Sequence, residues 1–253
     1  MDYNLNNKIV SRATKDVYKD RGNTIKLFVE KYSKADILNE ALIQARVEEN
    51  TDLNIPELRE VTKISNKWAI VSEYIEGDTL ENLIKQYPER YEEYLNWFVD
   101  IQLTVVAREV PLLNRMKDKY RGRINQLQGI SDSIRYELLT RLDSMPERSE
   151  LCHGDFVPSN VIIEPDTNWA IIDWAHATQG NASADAANTY LNFVIAGEQE
   201  RADKYIEIFA QKSDIDIHTI QRWIPVVAAV RMTKGKEEEM ETLHRFVDVV
   251  DFS

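Results

Sequence analysis

The sequence predicts an α+β fold in two lobes: a small β-rich N-terminal lobe over residues 1–76 and a larger, mostly helical C-terminal lobe over residues 77–253. Three observations lead there. Strand-like runs concentrate before Glu76, helical periodicity dominates after Gly77, and one β-textured segment, Leu151–Asp173, interrupts the helical part. The chain's 253 residues sit at the upper end of one domain or make two modest lobes, long enough to bury roughly three quarters of the unfolded surface.

The elements follow in order. Thr24–Val29 (TIKLFV) and Lys67–Tyr74 (KWAIVSEY) are rich in β-branched and aromatic residues and predict strands. Between them Lys34–Glu49 places Leu38, Ala41, Leu42 and Ala45 at helical spacing, with Ser33 as N-cap. Gly77 and Asp78 break the second strand, and Thr79–Gln86 begins a helical run. Tyr91–Glu109 and Ile134–Leu142 predict helices. Val161–Ile163 and Trp169–Ile172 flank a Glu164–Asn168 connector of turn-forming residues, the pattern of a β-hairpin. Helices are then expected over Ala184–Ala196, Glu198–Gln211, Ile217–Met232 and Glu237–Val249.

Composition narrows the function. A net charge of −12 lacks the clustered Lys and Arg of a nucleic-acid footprint, so no nucleic-acid partner is expected. Ile224–Val230, the longest apolar stretch, is far short of the ~20 residues a membrane helix needs, so no membrane partner is expected either. Met1–Val10 carries no apolar signal core, and one cysteine, Cys152, permits no internal disulfide; a cytoplasmic location follows. The charge is uneven: 12 basic against 13 acidic residues up to Glu76, then 19 against 30. An acidic second lobe suits a cationic substrate, with solubility as the plainer reading. No oligomeric state is legible.

The chemistry is concentrated in LCHGDFVPSNVIIEPDTNWAIID, residues 151–173. Asp155, Asn160 and Asp173 frame a loop and the hairpin after it. Phosphoryl transfer needs a carboxylate to orient the attacking hydroxyl and take its proton, and hard oxygen ligands to hold Mg²⁺ on the phosphates. Asp155 suits the first role; Asn160 and Asp173 suit the second. The run His153-Gly154-Asp155-Phe156-Val157-Pro158-Ser159-Asn160, followed by Ile171-Ile172-Asp173-Trp174, resembles the signature of the aminoglycoside phosphotransferase and choline kinase-like family. The resemblance covers about Ile25 through Leu191. It implies the protein kinase-like fold and transfer of phosphate from ATP, with Mg²⁺, to a hydroxyl of a small-molecule acceptor.

That resemblance assigns further residues. Lys26 matches the phosphate-binding lysine, and Glu40 is its expected partner, preferred to Glu48 or Glu49. Ser72–Gly77 matches the hinge, where the Glu73 carbonyl and the Ile75 N–H would bind adenine. The phosphate-covering loop is expected near Ser11–Tyr18, yet that stretch holds no glycine, leaving Ser11, Thr14 or local N–H groups to substitute. No Walker-type phosphate loop exists in the chain. Protein kinases carry a lysine where this chain has Val157, and only eleven residues separate Asp173 from Asp185. Both features favour a small acceptor (aminoglycoside-, choline- or amino-alcohol-like) over a protein. Two rivals remain: a nucleotide-binding regulator with little catalysis, and a reduced protein kinase.

Other residues admit two readings. His153 braces the loop. His176 either touches substrate or is structural. Asp185 is expected to anchor a loop or cap a helix, and Cys152 to be buried. Glu237–Glu239 reads as a solvated helix start, with acids there or at Asp248 and Asp251 as alternative neighbours of a cationic acceptor. Trp223 either walls that pocket or fills the core.

Overall fold

A computed structural model describes residues 3–166 and 168–247; the expectations at Asp248 and Asp251 lie outside the described residues. In chain order the elements are β1 (Lys8–Ser11), β2 (Lys15–Asp20), β3 (Asn23–Phe28), α1 (Lys34–Asn50), β4 (Leu58–Ile64), β5 (Lys67–Glu73), β6 (Asp78–Thr79) and α2 (Leu80–Gln86). Then follow α3 (Tyr91–Val106), α4 (Met116–Gln126), α5 (Asp132–Ser144), β7 (Glu150–Cys152), β8 (Val161–Ile163), β9 (Trp169–Ile171) and β10 (Thr178–Gly180). The chain closes with α6 (Ala182–Ile195), α7 (Gln199–Ser213), α8 (Ile217–Gln221), α9 (Ile224–Met232) and α10 (Glu237–Val247). Two compact units form. The described residues up to Pro88 join Pro158–His176 in the first, and Glu89–Val157 joins the described residues from Ala177 onward in the second.

In the first unit an antiparallel sheet runs β1-β2-β3-β5-β4. Alternation gives it two faces. Ile25 and Leu27 pack with Tyr18, Ala69 and Val71 on one. Phe28 and Ile70 pack against Ile37 and Ala41 of α1 on the other. A second sheet, β6-β8-β9, holds the expected hairpin, with Val161 opposite Ile171 and Ile163 opposite Trp169. Gly77 is required beside it: at φ 150°, an added Cβ would sit 2.4 Å from the Ile163 carbonyl oxygen. The second unit is helical apart from the β7–β10 pair, which joins Cys152 to Thr178. No helix among the described residues is long and apolar enough to cross a membrane.

Several expectations are corrected. The buried face of α1 is not the Leu38/Ala41/Leu42/Ala45 stripe: Leu38 and Leu42 are 42% and 47% exposed, while Ile37, Glu40, Ala41, Ile43, Gln44 and Val47 are buried. The helix is turned because polar partners wait inside, including the Pro56 carbonyl, which accepts from Gln44 Nε2 at 2.8 Å. Ser11–Tyr18 is not one loop but a hairpin of β1 and β2 closed over residues 12–14, with Arg12 N donating to Lys15 O at 2.9 Å. Ile217–Met232 divides into α8 and α9, because Pro225 has no N–H to continue a helix and is suited to a first turn. The strands β1, β2 and β4 and the helix α4 escape the sequence reading. In α4, five charged residues mask the buried row Met116, Tyr120 and Ile124.

Candidate active site

In the first unit, strand register builds a charged cluster. Lys26 stands on the central strand β3, opposite Val17 of β2 and Ile70 of β5. Its neighbours Ile25 and Leu27 point to the other face, so Lys26 shares with Phe28 the face that α1 covers. Glu40 on α1 meets it: Lys26 Nζ lies 2.8 Å from Glu40 Oε1 and 2.7 Å from Asp173 Oδ1. Lys15 joins the same two carboxylates at 3.2 and 3.4 Å. It sits two residues from Val17, the partner of Lys26, and therefore on the same face of the sheet. The sequence reading missed Lys15 because it placed this stretch in a loop. KDVYKD shows no polar–apolar alternation, so only the strand register places Lys15 on this face.

The lysine side chains are 14% and 16% exposed and Glu40 9%, so charge balance decides their state. Burial opposes the Lys26 ammonium, but Asp173 and Glu40 outweigh it and hold its pKa above that of ordinary lysine. Burial likewise opposes the Glu40 carboxylate, yet Lys26 and Lys15 keep its pKa low. Asp173 follows β9 with φ at 64°, a left-handed conformation Asp tolerates better than most residues. The turn after it is pinned by Trp174, whose Nε1 donates to Ile171 O at 3.0 Å. Hairpin register also brings Asn160 to Asp173: Ile172 N donates to Asn160 O at 3.0 Å. The Asp173 carboxylate, one third exposed, and the Asn160 amide are hard oxygen donors, the class that Mg²⁺ takes in small number beside nucleotide phosphates.

Glu73 ends β5, its N–H donating to Glu57 O at 2.9 Å, and half-buried Ile75 follows. The Ser11 hydroxyl is engaged by Asp16 at 2.6 Å. His176 is exposed, in the short turn after Asp173.

In the second unit one face of α6 holds the loop around Asp155. Asp185, Asn188, Thr189 and Asn192 recur at helical spacing, so all four look the same way. Gly154 N donates to Asp185 Oδ1 at 2.7 Å, and Asn188 Nδ2 donates to Gly154 O at 3.0 Å. The Thr189 hydroxyl donates to Phe156 O at 2.9 Å. Asn192 Nδ2 reaches the Asp155 carboxylate itself at 3.5 Å. Asn192 is in turn held by Arg231, which grips Glu239 through two hydrogen bonds of 2.6 and 3.1 Å. Asp155 N donates to Nδ1 of buried His153 at 3.3 Å. Sequence reading found Asp185 and His153 but not Asn188, Thr189, Asn192 or Arg231. The Asp-x-x-Asn-Thr-x-x-Asn period was the signal.

Burial raises the Asp185 pKa, opposed by the donors from Gly154 and Gln102 and by His153. Asp185→Ala strips the Gly154 N–H and the Gln102 amide of a buried acceptor. At about 1–3 kcal/mol for each stranded donor, we expect a stability loss near the upper value, read by denaturant unfolding, with turnover falling too as the loop loosens. Cys152 is buried, and burial pushes its thiol up, so it is no nucleophile. Glu239 is not the solvated acid expected: burial opposes its charge, but Arg231 and Lys236 hold its pKa at about 2. Trp223 is a core residue that also borders a cavity of about 260 Å³, which touches none of the candidate residues.

The sequence profile of the phosphotransferase enzyme family (APH) matches residues 25–216. No curated protein sequence matched the chain. Among solved structures, the chain is similar to a thermostable mutant of aminoglycoside phosphotransferase APH(4)-Ia in a ternary complex with AMP-PNP and hygromycin B. The TM-score is 0.71 at 14% identity, over 96% of this chain and 91% of that one. It is also similar to aminoglycoside-3'-phosphotransferase of type VIII (TM-score 0.63, 12% identity, 90% and 93% covered). ADP-bound APH(2'')-Ib gives 0.62 at 16% identity, with 98% and 92% covered. At these identities the likeness establishes the fold, and it is the two-lobed protein kinase-like α+β fold the sequence predicts.

Proposed function

The chain belongs to the phosphotransferase enzyme family, and from that premise we propose that this small-molecule kinase moves the γ-phosphate of ATP to a hydroxyl of a small acceptor, with Mg²⁺. The observation that carries the reading is the pairing of Lys26 with Glu40 and Asp173, beside a hairpin in which the Asn160 carbonyl accepts from Ile172 N, next to Asp173. Lys26, steadied by Glu40, orients the phosphates, and Lys15 adds a second cation there. Glu73 and Ile75 offer backbone groups to adenine. Asn160 and Asp173 would hold Mg²⁺, which neutralises phosphate charge when bound. Asp155 orients the acceptor hydroxyl and takes its proton as the oxygen attacks the γ-phosphorus and ADP leaves. Positioning and charge neutralisation supply the rate. The relatives bind ADP or AMP-PNP, which supports a nucleotide donor.

The test is ATP consumption by the purified chain across pools of hydroxyl compounds, with and without Mg²⁺. We expect at least one pool to stimulate turnover and chelation of Mg²⁺ to abolish it. Turnover that persists after chelation would remove the metal role of Asn160 and Asp173. A chain that binds nucleotide yet answers to no pool would be a regulator.

A further inference from the structure

The second unit buries an ion pair that the proposed chemistry leaves unused. The side chains of Arg231 on α9 and Glu239 on α10 are only 11% and 6% exposed. They meet in a fork: Arg231 Nε donates to Glu239 Oε2 at 2.6 Å and Nη2 donates to Oε1 at 3.1 Å. Lys236 Nζ adds a third bond to Glu239 Oε1 at 3.0 Å. Such a pair gives a fold little net stability, because taking both charges out of water costs about as much as their attraction gains. The fork leaves Nη1 of Arg231 over, and Nη1 donates to Asn192 Oδ1 on α6.

Donor and acceptor chemistry then fixes the Asn192 amide. Guanidinium nitrogens only donate, so Arg231 takes the amide oxygen. A carboxylate only accepts, so the amide nitrogen that remains suits Asp155, and Asn192 Nδ2 lies 3.5 Å from Asp155 Oδ1. That is the long end of a hydrogen bond, as contacts at catalytic groups often are before substrates close a site. α9 packs on both α6 and α10, so the three side chains stand on helices already in contact. Asn188 and Thr189 on the same face of α6 hold the loop through the backbone of Gly154 and Phe156. Asn192 differs in reaching the carboxylate itself.

We infer that Glu239, Arg231 and Asn192 form a positioning relay that aims the Asp155 carboxylate at the acceptor hydroxyl. Glu239 sets the plane of the Arg231 fork, and Arg231 sets which way the Asn192 amide faces. Asn192 holds one oxygen of Asp155 and leaves the other to take the hydroxyl proton. None of the three exchanges a proton; each acts through the next. The reward for such holding is large, since misplacing a reacting group by about 1 Å can slow a reaction about a hundredfold. This rests on the phosphotransferase reading, in which Asp155 is the proton acceptor.

Asn192→Asp separates positioning from mere structure. It keeps an oxygen for Arg231 but turns an acceptor and a like charge toward Asp155, a change that a purely structural link tolerates. We expect Asn192→Asp and Asn192→Leu to bind AMP-PNP as wild type does. Their kcat, read with the hydroxyl pool that stimulates turnover, should fall at least about tenfold while KM for ATP stays within about twofold. Arg231→Lys retains the charge facing Glu239 but not the fork; it should lower kcat too, and no further when added to Asn192→Leu. Crystal structures of wild type and Asn192→Leu give a readout that needs no acceptor. The Asp155 carboxylate should hold one rotamer on Asn192 in the first and turn away or split between rotamers in the second. Wild-type kcat in Asn192→Asp, additive losses in the double variant, or an unmoved Asp155 carboxylate in Asn192→Leu would overturn the relay. Failure of the phosphotransferase reading shows separately, as wild-type chain that no pool stimulates.

Discussion

Asp155→Asn is expected to lower acceptor-stimulated turnover by on the order of 10²- to 10⁴-fold, the range for loss of a positioned general base. The substitution is nearly isosteric, and the loop is held through its backbone as well as through the carboxylate that Asn192 reaches. Four bonds that hold it involve the Gly154 N–H, the Gly154 carbonyl, the Asp155 N–H and the Phe156 carbonyl, all of them backbone groups. The variant should therefore melt close to wild type and bind ATP with similar affinity while kcat collapses. Single-turnover kinetics beside nucleotide titration would separate the two effects. Turnover within about twofold of wild type would remove Asp155 from the proton-transfer role.

Lys26→Met gives the second large effect, on stability as well as activity. The change leaves Glu40, 9% exposed, and Asp173 facing one another with only Lys15 to balance both. Removing one partner of a buried pair costs roughly 3–5 kcal/mol, and the surviving Lys15 contact should keep the loss near the lower value. The pH dependence carries a sign. Lys26, then Lys15, hold the Glu40 pKa below its ordinary 4.5. That contribution is present above the unfolded value and is lost as pH falls through the folded one. The stability gap between wild type and Lys26→Met should thus be widest near neutrality and narrow below about pH 4.5. Unfolding curves at pH 7 and pH 4 measure it, and an unchanged gap would show that the ion pair is not its source.

These two variants probe different units of the molecule, and the sequence announced them unequally. Asp155, Asn160 and Asp173 are legible as candidates because the proposed oxygen ligands and proton acceptor must be particular residue types, and a short loop and hairpin set their spacing locally. The helix with Ser33 at its N-cap is legible for the same reason: a cap is read from neighbours, and here Ser33 Oγ accepts from Asp36 N. Leu38 and Leu42 show where local reading stops. Both fit an apolar stripe, yet the helix turns them to solvent to bring Glu40 to Lys26 and Lys15.

The sequence by itself determined the two-lobed α+β class and singled out Asp155, Asn160 and Asp173 as candidates, because strand texture, helical period and motif spacing act over a few residues. Only the tertiary structure decided the rest. Strand register set Lys15 beside Lys26, and packing returned Pro158–His176 to the first unit. Each depends on residues far apart in the chain whose side chains meet only when burial of the core fixes the register and packing of the elements that carry them.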